Sequence, residues 1–193
     1  MSQQRRLTYL LCLNAAMIAG LLLVGLASHS VSVIAAGGDF IADSCAILLG
    51  ILAVHLRDSH GKQKAPVYVA FINATLLLGI TTFVLIEAIS RLVKGTPEIH
   101  GLPVLIVSLI SALLMVVGVV ILGTGAGKED LHMRSVLLDT IADGAAAAGV
   151  AVVGGIIFVT NNYYWLDSVA AIIISVVIIS AAYSLVRDAL KEV

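Results

Sequence analysis

Charge is what this sequence has least of. Of its 193 residues only 12% are Asp, Glu, Lys or Arg, about half the share of a soluble domain. A water-facing surface cannot be built from so few charges, so a soluble globular fold is excluded. The net charge of -1 leaves no basic excess for a nucleic-acid partner. Aromatics make up 5%, too few to line a cavity for large organic cations. The two cysteines, Cys12 and Cys45, lie inside apolar runs and read as small buried hydrophobes, not a disulfide or a thiolate metal site. The chain carries no nucleophile triad, no phosphate loop and no HExxH, so enzymatic chemistry is not expected.

What remains is apolar: 60% of the residues are hydrophobic. A helix needs roughly 20 such residues to cross the hydrocarbon core, and six segments supply them, at about 7–28, 31–56, 67–92, 102–123, 133–159 and 165–187. Backbone facing lipid must satisfy its own hydrogen bonds, so each is expected to be a helix. The first run is too long for a signal peptide and reads as a retained span. With the N-terminus in the cytoplasm, Arg5, Arg6, Arg57, Lys62, Lys64, Lys128, Arg134, Arg187 and Lys191 fall on the inner side, and Arg91 and Lys94 on the outer. This bias follows the positive-inside rule. The expected fold is all-α: a polytopic membrane protein of six transmembrane helices, both termini cytoplasmic, residues 1–193 forming one transmembrane domain with no soluble domain.

Acids inside the spans are the exceptions that carry chemistry. The second span reads GGDFIADSCAILLG and the fifth LLDTIADGAAAAGV. Each contains Asp-x-Ile-Ala-Asp, so Asp39 and Asp43 share one helical face, as do Asp139 and Asp143, the members of each pair about 6 Å apart along the axis. Asp43 and Asp143 fall near mid-depth, so the four can meet if the two helices touch. A single Asp at the bilayer centre costs about 2.5–3.5 kcal/mol, and four would cost on the order of 10 kcal/mol. No Lys or Arg lies at that depth. Protons, water or a cation must compensate them, and a divalent metal ion held by Asp39, Asp43, Asp139 and Asp143 does so at once. Gly37 and Gly38 before the first pair, and the small run Gly144 to Gly149 after the second, suit close helix packing.

Other polar residues have plainer expected roles. Glu87 and Arg91, at i and i+4, form a structural pair. Asp167 caps the start of the sixth helix. Asn14 and Asn73 bridge helices, and Tyr163, Tyr164 and Trp165 form an outer interfacial belt. His55, His60 and His132, with Asp58, Glu129 and Asp130, offer a weak cation funnel inside; His29 and His100 offer one outside.

The chain resembles the cation diffusion facilitator family of metal–proton antiporters over essentially all six spans. The resemblance rests on the two Asp-x-x-x-Asp pairs, on Ser32-Val33, His60-Gly61-Lys62, Glu87-Ala88-x-x-Arg91-Leu92 and Tyr164-Trp165-x-Asp167. Many zinc-carrying members have His at the position of Asp139; here all four ligands are Asp. Most members continue into a cytoplasmic metal-binding domain, absent from this sequence. The resemblance implies zinc efflux by exchange with protons through alternating access, no bound cofactor, a homodimer resting on the membrane helices and residence in a bacterial-type inner membrane. All-oxygen ligation also suits manganese or iron, with cobalt and cadmium further alternatives. A proton-coupled organic-cation exporter and a non-transporting membrane scaffold are the competing classes.

Overall fold

Each apolar run closes into a single helix, and the breaks fall at the polar and glycine clusters between them. The computed structural model has α1 (Gln3–Ser28), α2 (Val31–His60), α3 (Ala65–Lys94), α4 (Gly101–Gly123), α5 (Leu131–Thr160) and α6 (Trp165–Lys191). It describes the backbone of residues 3–60, 65–123 and 131–191, and side chains over 15–45, 48, 71–120, 140–184 and 186–187. Among the described residues there is no strand. Most helices outrun the hydrophobic segments by a few residues, because the helical hydrogen-bond ladder continues past the apolar run into polar sequence.

The helix ends use left-handed residues. α1 closes with His29 at φ 59°. The Ser30 N–H donates to the Gly25 carbonyl at 3.0 Å and the His29 N–H to that of Leu26 at 3.4 Å, the paired bonds of a Schellman motif. α3 ends at Gly95, φ 107°, whose N–H bonds the Arg91 carbonyl at 3.0 Å. The α1–α2, α3–α4 and α5–α6 connections gather at one end of the bundle. There the His100 N–H donates to the Ser28 carbonyl at 3.3 Å, and Arg91 donates to the carbonyl of His29. This short-loop end is the one that the charge bias assigns to the outside.

Four helices close a ring of neighbours, α1 on α2, α2 on α5, α5 on α4 and α4 on α1, while α3 and α6 pair and lie against α2. The α4–α5 contact is backbone to backbone. A Cβ on Gly154 would stand 2.7 Å from the Leu105 nitrogen, and one on Gly101 2.8 Å from the Gly154 oxygen, so only glycine permits this approach. The core is narrow: Leu21, Val33, Ala42, Ala88, Val104, Met115, Val150 and Ile157 are buried, with Ser30, Ser32, Ser108, Ser168 and Ser175 among them. Large apolar side chains such as Phe83, Leu113, Val120 and Val176 point outward, which suits lipid and not water. Within the described residues four stretches are long and apolar enough to cross a membrane, Phe71–Lys94, Gly101–Val120, Thr140–Thr160 and Trp165–Ser184, with a shorter apolar stretch at Ala15–Ser28.

Candidate metal site

Asp39 and Asp43 lie on α2 and Asp143 on α5, all three half-buried. None is without an interaction partner. Asp139 lies on α5 one turn before Asp143 and on the same face; its side chain is outside the described residues. α2 and α5 touch directly, though far less extensively than α4 and α5 do. Among the described residues, no three His, Cys, Asp or Glu side chains are gathered closely enough to hold a metal ion.

The small residues beside the acids serve other neighbours. A Cβ on Gly38 would stand 2.5 Å from Ile80 on α3, one on Gly37 3.1 Å from Leu22 on α1, and one on Gly144 3.1 Å from Met115 on α4. They therefore seat each acid-bearing helix against its flanking helices and do not themselves join α2 to α5.

The outlying polar residues resolve unevenly. Arg91 Nε lies 2.8 Å from Glu87 Oε1, the expected pair. Asn73 is buried, and its Oδ1 has no hydrogen-bond partner among the described residues, so the bridge expected of it is not made through that atom. Tyr163 and Trp165 are exposed beside the half-buried Tyr164, as an interfacial belt requires. Cys45 is a half-buried free thiol, and His29 and His100 are exposed. The side chains of Cys12, Asn14, His55, Asp58, His60 and His132, and the whole of Glu129 and Asp130, lie outside the described residues.

Asp167 is the residue whose role the sequence understated. It caps, as expected, but it caps a different helix. Its carboxylate is 0% exposed and accepts hydrogen bonds from Ser30 Oγ at 2.6 Å, from the Val31 N–H at 2.7 Å, from the Ser32 N–H at 3.4 Å and from Ser32 Oγ. Those N–H groups are the unpaired donors of the first turn of α2. Two motifs noted separately in the sequence, around Ser32 and around Asp167, are thus one contact.

A bundle of apolar helices with outward-facing hydrophobic side chains and an i,i+4 acid pair in each of two helices defines an integral membrane protein. The family model described as the cation efflux transmembrane domain matches residues 7–192, and the chain belongs to that family, the cation diffusion facilitators whose motifs it carries. It is 27% identical over 158 residues to zinc transporter ZitB of Pectobacterium atrosepticum, a match covering 76% of this chain and 49% of that protein. It is 26% identical over 151 residues to a cadmium, cobalt and zinc/H(+)-K(+) antiporter of Bacillus velezensis, covering 72% and 48%. It is 30% identical over 148 residues to zinc transporter 7 of Rattus norvegicus, covering 73% and 39%. The chain spans about half the length, or less, of these curated relatives.

Proposed function

We propose that this chain moves divalent transition-metal ions across a membrane, zinc first among them, in exchange for protons. One observation carries the reading: two i,i+4 acid pairs stand on α2 and α5, helices in direct contact. The names of the relatives as zinc transporters and as a metal/proton–potassium antiporter support the cargo and the exchange.

In this account Asp39, Asp43, Asp139 and Asp143 supply the oxygens. Binding draws the acids of α2 and α5 together around the ion. The bundle rocks, and the ion faces the other side. Protons then take the same oxygens and release it, so a protonated, neutral site returns. No separate coupling device is needed, because metal and proton compete for one set of ligands. Inner-membrane residence, cytoplasmic termini and a homodimer held by the membrane helices belong to the same reading.

The test is zinc uptake into proteoliposomes under a pH gradient, comparing wild type with Asp43→Asn and Asp143→Asn. Flux in both variants falls by on the order of 100-fold, to the level of protein-free vesicles. Unchanged flux in both removes the site assignment, and flux of an organic cation in place of metal favours the exporter class. An all-aspartate site also favours manganese or iron(II) over His-containing sites. Asp139→His therefore shifts preference toward zinc over manganese, read as the ratio of the two uptake rates.

A further inference from the structure

Asp167 sits at the start of α6, far in sequence from the residues that it binds. Its two oxygens take donors from three successive residues at the start of α2: the hydroxyl of Ser30, just before the helix, the N–H of Val31, and both the N–H and the hydroxyl of Ser32. Ser30 Oγ in turn accepts the Val33 N–H at 3.2 Å. The first turn of α6 is meanwhile closed by its own backbone, Leu166 N–H on Tyr163 O at 2.9 Å and Asp167 N–H on Tyr164 O at 3.2 Å. The carboxylate therefore acts wholly on the neighbouring helix. Bonds from both backbone and side chains of one helical turn fix depth and rotation together, since a slide along the axis or a turn about it breaks several at once.

That rotation matters further down α2. Ser32, Asp39 and Asp43 stand at i, i+7 and i+11, which brings all three within about 20° of one line along the helix at 100° per residue. Pinning Ser32 thus orients the stripe on which both acids lie, the nearer about 10 Å along the axis. α2, α5 and α6 are in mutual contact, so the pin fixes the rotation of the acid-bearing helix relative to both neighbours.

We propose that Asp167 is a positioning residue for the acid pair of α2: it holds α2 in one register against α6 and so fixes the rotation of the stripe that carries Asp39 and Asp43. This rests on the reading of Asp39 and Asp43 as cation ligands.

The test separates positioning from mere structural support. Zinc uptake is measured for Asp167→Asn in proteoliposomes, with inserted protein and helical content measured alongside. The expected result is a KM for zinc raised about tenfold, the scale on which orienting partners act on a metal site, at unchanged maximal rate per inserted molecule. A second variant replaces the pin covalently. In a background of Cys12→Ser and Cys45→Ala, Ser32→Cys with Asp167→Cys is joined by a short bifunctional thiosulfonate; joining returns KM toward the wild-type value. An unchanged KM with only less inserted protein overturns the proposal, as does a joined protein whose KM stays at the raised value of the unjoined one. Both arms are read against wild-type flux that depends on Asp43. Failure of the transport reading therefore shows in the wild type, and failure of this inference shows only in the variants.

Discussion

Asp167 has no exposed surface and four protein donors on its carboxylate, whereas Asp39, Asp43 and Asp143, deeper in their helices, are only half-buried. The difference separates two uses of one side chain in lipid. An acid placed against the open N–H groups of a helix start finds partial positive charge and donors in the fold itself. It needs no ion. The acids of α2 and α5 have partners too, yet each keeps accessible surface on helices whose mutual contact is slight. A carboxylate meant to exchange metal for proton must be reachable and must give up its ligand, and full enclosure would prevent both.

This contrast can be broken by measuring stability. Asp167→Ala strands buried hydroxyls and N–H groups and lowers stability by about 3–5 kcal/mol, seen as a lower melting temperature in detergent. Asp43→Asn, at a half-buried carboxylate, costs less, about 0.5–1.5 kcal/mol for one hydrogen-bonded group, so in metal-free detergent the variant melts between Asp167→Ala and the wild type. Equal losses in both would erase the distinction.

Metal addition sharpens it. At free zinc one hundredfold above Kd, the wild type gains about 2.7 kcal/mol of stability, read as a rise in melting temperature. Asp43→Asn and Asp143→Asn lose this gain. Lowering the pH weakens it, because a proton on a carboxylate oxygen removes a ligand. A zinc shift that survives both substitutions places the ion elsewhere.

The smallest effect concerns packing. Gly154→Ala drives a methyl into the backbone of α4 and costs about 1–3 kcal/mol. Gly149→Ala, in the small run after Asp143, meets nothing within 4 Å and stays within about 0.5 kcal/mol of wild type. Comparable losses would mean that α5 is packed as tightly beside its acids as at the short-loop end.

The helices were legible because lipid leaves one solution for an apolar run of this length, and polar breakers mark its ends. The acid pairs were legible as exceptions to that apolar background. Which helices touch was not, since a lipid-facing side and a packed side are both written in Leu, Ile, Val and Ala. Gly38 reads from sequence as a residue for close helix packing, but nothing in the sequence says that its neighbour is Ile80 on α3. Asp167 reads as a cap for its own helix because capping patterns are local; its donors lie about 135 residues away, a pairing that sequence spacing does not encode. Ser30 reads as part of a break and Ser32 as part of a family motif, and neither reading points to Asp167.

Anomalous diffraction from crystals grown with zinc tests the central claim most directly. The account predicts a peak between α2 and α5, at the roughly 2.0–2.2 Å of carboxylate coordination from Asp43 and Asp143. A zinc peak held by other residues, with those carboxylates bare of metal, would contradict it.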